Sequence, residues 1–215
     1  MTAVFWDLDD TLINTYGARA RALQEAYEQC CGLKADGRAL CQQLGGGGVE
    51  ELAQRLLGEN YRRFVEIYRS RYYGQPRPIA PYEGVTPVLE TLMASNIPMI
   101  VITSKVSWGA TEELERCGLL PYFHSVVGVD DTALHTPEPD PVIEALDRLM
   151  IIEPENAFVV GDSAEDMSAA QEAGCRSIAA LWGATAAAEV LNAGPEFEAE
   201  QPLDVLQIIR EVVAS

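Results

Sequence analysis

The chain has 215 residues, 48% of them hydrophobic, enough to bury a full core in one large domain or a domain with a sizeable insertion. Its formal charge of −18, from 33 acidic against 15 basic residues, repels nucleic acid and acidic membrane surfaces and excludes both as partners. No apolar run approaches the roughly 20 residues of a membrane span, and no basic-then-apolar leader opens the chain, so a cytoplasmic protein is expected. The five cysteines (30, 31, 41, 117 and 175) are odd in number and form no Cys-x-x-Cys, so reduced, packing thiols are expected.

Val4, Phe5, Trp6 and Leu8 form a short apolar run that reads as a buried first strand. It delivers Asp7, Asp9, Asp10 and Thr11 together. Carboxylates this close repel one another, and a hard cation such as Mg²⁺ would compensate them. A solvated acidic turn, with Asp10 or Thr11 capping the next helix, fits the same residue types. Residues 16–31 show helical spacing and close at Gly32. Residues 36–44, 49–58 and 61–73 read as three further helices, with Gly45 to Gly48 between the first two. A stretch with Pro76, Pro78 and Pro81 follows, which neither a helix nor a central strand would accept. Residues 15–80 are therefore expected to be an all-helical insertion, and 1–14 with 81–215 a core.

From Pro81 the pattern alternates. Helices are predicted at 85–95, 108–116, 140–150, 164–173, 184–193 and 203–213, and strands at 99–102, 124–129, 157–160 and 177–181. Such alternation predicts an α/β fold, a parallel sheet with helices on both faces. Ligands of such sheets bind beyond the carboxyl ends of the strands. Those ends carry Asp7, Asp9 and Thr11; Thr103, Ser104 and Lys105; Asp130 and Asp131; and Gly161, Asp162, Ser163 and Asp166. Acids, hydroxyls and a lysine repeated along one edge favour a site over a solvated turn.

The motifs also resemble a family. Asp7-Leu8-Asp9-Asp10-Thr11 resembles the first motif of the haloacid dehalogenase superfamily. Val101-Ile102-Thr103-Ser104 resembles the second, and Gly161-Asp162-Ser163-x-x-Asp166 the fourth. Pro81-Tyr82-Glu83-Gly84-Val85 and Pro137-Glu138-Pro139-Asp140-Pro141 are similar to connecting pieces of its phosphoglycolate-phosphatase-like branch. The resemblance implies a Rossmann-like core with an inserted helical cap, and Mg²⁺-dependent hydrolysis of a small phosphomonoester, phosphoglycolate-like or a sugar phosphate, in a monomer or homodimer. Asp7 would be the nucleophile forming an aspartyl phosphate, and Asp9 the acid and base. Asp7, Asp9 (through its main chain) and Asp162 would hold the metal, with Asp166 behind them. Thr103, with Ser104 and Lys105 beside it, would bind the phosphoryl group.

One position departs from that pattern. Thr136 stands where the family's third motif usually has a lysine, a charge commonly worth a few kcal/mol. Lys34 and Lys105 are the only lysines, so Lys105 is the first replacement to consider, with His135 a weaker one. A non-catalytic or very weak binding protein of the same fold, or a phosphosugar mutase, would also fit. Dehalogenation fits less well, because Asp9 and Asp162 suit a metal that dehalogenases do not use. The glycines at 45–48 could hold an anion through bare N–H groups or serve as a plain linker. Arg19, Arg38 and Arg55 are expected on solvated helix faces.

Overall fold

The structure, a computed structural model, describes residues 1–44, 48–74 and 76–214. Three of the four glycines at 45–48 lie outside the described residues.

Six parallel strands form one sheet: β1 (Ala3–Asp7), β4 (Met99–Ile102), β5 (Ser125–Val127), β6 (Ala157–Gly161), β7 (Arg176–Ala180) and β8 (Phe197–Ala199). Their order is β5-β4-β1-β6-β7-β8. The chain thus builds one side of β1 first and then returns to build the other. That reversal opens a crevice at the carboxyl end of β1, flanked by β4 and β6. In register, Asp7 stands beside Ile102 and Trp6 beside Val160, so the residues following β1, β4 and β6 emerge at one level.

The near-continuous apolar runs reflect burial on both faces. Val4 and Trp6 point to one face, under α5 (Val85–Ala94), α6 (Ser107–Arg116) and α10 (Pro202–Ala214). Ala3 and Phe5 point to the other, against α7 (Asp140–Arg148) and α8 (Ala164–Glu172). The short α9 (Ala187–Asn192) closes over Met167 and Ala179 through Val190.

Between β1 and α5 the chain forms α1 (Tyr16–Cys31), α2 (Gly37–Leu44), α3 (Val49–Leu57) and α4 (Tyr61–Tyr73). These four bury their own apolar cluster, which includes Leu23, Ala26, Leu52, Phe64 and Tyr68. Gly32 ends α1 in the left-handed region (φ 68°), where a side chain would be strained. Two features escaped the sequence pattern. The two-residue strands β2 (Ile13–Asn14) and β3 (Ala80–Pro81) pair antiparallel where the chain enters and leaves the helical layer. β8 adds a sixth strand that the pattern did not predict. The third predicted strand is also shorter than its β-branched run suggested, at Ser125–Val127.

Candidate active site

Asp7 ends β1, and Asp162 follows the last residue of β6. Asp166 sits in the first turn of α8, where it closes a capping box with Ser163: the Asp166 N–H donates to Ser163 Oγ at 3.1 Å, and the Ser163 N–H donates to Asp166 Oδ2 at 3.2 Å. Each of Asp7, Asp162 and Asp166 offers a carboxylate oxygen within 4.8 Å of the other two. A helix cap accounts for part of Asp166, but not for a second and third acid placed against it.

The electrostatics follow from that crowding. Burial raises the Asp7 pKa, and the charges of Asp166, Asp162 and Asp9 raise it further, well above the usual carboxylate range. Asp162 is pushed up well above that range by burial, Asp166 and Asp10. Burial lifts Asp166 to about 6, against the hydrogen bonds from Ser163. Three inward carboxylates without a cation among them are unfavourable as anions and fit an all-oxygen site for a hard divalent ion such as Mg²⁺.

Asp9 has a different environment. Its carboxylate accepts from the Thr15 hydroxyl and from Lys105 Nζ, and stands outside the three-oxygen group. Burial would raise its pKa, but Lys105 and Arg19 outweigh that and hold it below the usual value. Asp10 (φ 65°) turns into the protein instead, where Oδ1 accepts from the N–H groups of Thr15 and Tyr16 at 3.0 Å each and Oδ2 pairs with Arg19. Asp10 thus satisfies the start of α1, as the capping alternative expected of it. Arg19 departs from expectation: its side chain is 13% exposed and ion-paired with Asp10, because α1 lies directly over the strand end. Arg38 and Arg55 are exposed, as expected.

Thr11 donates to Asp162 Oδ1 at 3.3 Å, and its carbonyl accepts from Trp182 Nε1 at 2.9 Å. Thr103 is buried, and its hydroxyl accepts from the Lys105 N–H at 3.2 Å. Lys105 is itself buried, and its ammonium is occupied: it donates to Asp9, to Glu113 Oε2 at 2.9 Å and to the Tyr72 hydroxyl at 3.4 Å. Behind it, Arg77 lies 3.4 Å from Glu113, pairs with Glu112, and sits 4.8 and 4.9 Å from the rings of Tyr72 and Tyr73. Sequence reasoning missed this chain of charges. Glu113 sits in a run of helix charges that looks solvated, yet it is wholly buried. Asp130 and Asp131 accept from Ser107 and brace their own loop.

Two cavities meet above the strand ends and share Asp9, Arg19 and Ser104 in their walls. One, about 400 Å³, holds the three-carboxylate group; the other, about 500 Å³, runs under α3 and α4 past Lys105, His135 and Thr136. A small hollow joins Asp7, Thr103, His135, Thr136 and Asp166. The structure therefore brings Asp7, Asp9, Thr103, Ser104, Lys105, Asp162 and Asp166 to one crevice; among the described residues the basic side chain beside Thr136 is His135, whose buried Nδ1 has no partner.

Comparison with known proteins places the chain among relatives of the same fold. The family model of the haloacid dehalogenase-like hydrolases matches residues 4–180. A phosphoglycolate phosphatase of Aquifex aeolicus is 29% identical, the match covering 97% of each chain. A Caldanaerobacter subterraneus chain bearing the pyrophosphatase name PpaX is 32% identical over 98% of this chain and 95% of its own. The structure of a haloacid dehalogenase-like family hydrolase from Streptococcus pneumoniae superposes with a TM-score of 0.85 at 26% identity, covering 97% of this chain and 98% of that one. With the family model spanning residues 4–180 and a relative 32% identical over 98% of it, the chain belongs to the haloacid dehalogenase-like hydrolase family.

Proposed function

We propose that this phosphatase hydrolyses a small phosphomonoester in two steps, with Asp7 as nucleophile and a divalent cation, Mg²⁺ by its all-oxygen donors, held by Asp7, Asp162 and Asp166. The observation that carries the reading is the group of three half-buried carboxylates within 4.8 Å of one another at the end of β1. The main-chain carbonyl of Asp9 remains the further ligand that the family resemblance suggests. The bound cation would neutralise charge on the phosphoryl group and return Asp7 to its anionic form.

In the first step an Asp7 oxygen attacks phosphorus, the bond to the alcohol oxygen breaks, and that oxygen takes a proton from Asp9. In the second, Asp9 removes a proton from water, which attacks the aspartyl phosphate and releases inorganic phosphate, regenerating Asp7. The low pKa of Asp9 suits the second step better than the first, since little of it is protonated near neutral pH. Thr103 and the Ser104 main chain would hold the phosphoryl oxygens while Asp7 reacts.

The test is phosphate release from a panel of phosphomonoesters with and without Mg²⁺, beside Asp7→Asn. Release that requires Mg²⁺ and vanishes in Asp7→Asn is expected. Release that survives Asp7→Asn would sink the nucleophile assignment. The second reading, a feeble or non-catalytic binder, is favoured by Thr136 and by the engagement of Lys105 with two acids. It would be supported by Mg²⁺ binding without turnover on any ester.

A further inference from the structure

The cavity walls constrain the alcohol that leaves. Among the described residues, three arginine and lysine side chains line the two cavities, and each already faces an acid: Arg19 with Asp10, Lys105 with Asp9 and Glu113 at 2.9 Å, and Arg69 with Glu50 at 2.9 Å. Glu51 lines the larger cavity, Glu165 and Glu189 line the smaller, and the ion pairs of the described residues leave all three out. Residues 45–47, next in sequence to α2, are glycine and add no side-chain charge. The whole chain carries −18.

A carboxylate or second phosphate on the leaving group would enter this space needing a donor. To gain an arginine or lysine it must displace Glu50, Asp10 or Asp9, which exchanges one ion pair for another and leaves an acid unpartnered near the substrate. Desolvating an anion without a net new partner is unfavourable. Hydroxyl or ammonium groups meet the reverse situation, since carboxylates accept from both.

Resting on the phosphatase reading, we infer that the substrate is a phosphomonoester whose alcohol bears no second negative charge, a hydroxylated or amine-bearing alcohol. Phosphoglycolate and pyrophosphate, the substrates in the names of its relatives, are then poor substrates here. Among the described residues, no arginine or lysine in the cavity walls is free of an acid to receive their second anion; His135, whose Nδ1 has no partner, is the one basic side chain left.

The experiment is kcat/KM of the full chain with Mg²⁺ on four probes: glycerol 2-phosphate, phosphoethanolamine, phosphoglycolate and pyrophosphate. The first two are expected to exceed the last two by about tenfold or more, an unpartnered anion costing about 1.4 kcal/mol at that ratio. In Glu50→Gln, which releases Arg69, the phosphoglycolate to glycerol 2-phosphate ratio should rise at least about threefold. Glu51→Lys should move it the same way, and added salt should narrow the wild-type preference. Phosphoglycolate or pyrophosphate as the best probe, with ratios unmoved in both variants, overturns the inference and leaves the phosphatase reading standing. Silence on all four and on a wider ester panel overturns both.

Discussion

The Lys105 ammonium donates to Glu113 across 2.9 Å, and Glu113 is wholly closed to solvent. Glu113 sits on α6, Lys105 follows β4, and Arg77, in the segment leaving the helical layer, approaches Glu113 from the other side at 3.4 Å. One buried acid therefore joins the end of β4 to the connection between the two layers.

Removing that acid should be costly. Glu113→Gln leaves Lys105 and Arg77 each short of a buried partner, and breaking buried pairs in this way costs about 3–5 kcal/mol. Urea unfolding would read it as a lower midpoint at unchanged slope. A loss under about 1 kcal/mol would mean that the two cations find other acids, Asp9 and Glu112 among them.

The crowded acids predict an unusual pH dependence for the metal-free protein. Asp166 is raised to about 6, so its favourable contribution is fully present below the unfolded value near 4 and is lost as pH rises through 6. In EDTA, stability should fall between pH 5 and 7.5 by more than about 1 kcal/mol from this group. Asp9, Asp130 and Asp131 have lowered pKa values, so their contributions fade only below that window. Melting curves of wild type and Asp166→Asn at both pH values isolate the effect, and the variant should be flatter. Mg²⁺ should stabilise more at pH 7.5 than at pH 5, because protons must leave as it binds. An equal slope in the two proteins would refute the assignment to Asp166.

Thr136 lines the hollow that also holds Asp7, Thr103 and Asp166. An ammonium there would favour the anionic form of Asp7 and attract the phosphoryl group. Thr136→Lys is expected to raise kcat/KM about tenfold and to move the acid limb of the pH profile to lower pH. An unchanged rate would mean that Lys105 already supplies the charge, and Lys105→Ala would then cripple release.

Gly183 touches the backbone of Asp10 so closely that a Cβ would overlap the Asp10 carbonyl. Gly183→Ala must displace either the loop after β7 or the turn that follows Asp9. Overpacking against backbone costs roughly 1–3 kcal/mol, and here it should also lower kcat by moving Asp9. Thermal melts and phosphate release on the same sample check both. Full activity at full stability would show that the loop yields freely.

The strand-end acids were legible because apolar runs buried on both faces leave polar residues only at their ends. Asp7, Thr103 and Asp162 could be brought together from alternation alone. Arg19, Glu113 and Arg77 could not. Each sits among helical or linker charges whose local pattern matches a solvated surface, and their burial depends on how α1, α6 and the proline segment cross the strand ends. β2 and β3 were invisible for another reason: two residues, one of them Pro81, carry no period.

That small ladder has a consequence for the whole molecule. Because Ile13–Asn14 and Ala80–Pro81 are paired, the chain departs from the sheet and comes back across a single strand spacing of about 5 Å. The helical layer is wired in like a cassette whose two leads touch. A different insert would enter and leave at the same two points, but it would have to replace Thr15, Tyr16 and Arg19, which hold Asp9 and Asp10. Four residues thus fix where the helical layer begins and ends, whatever its length between them.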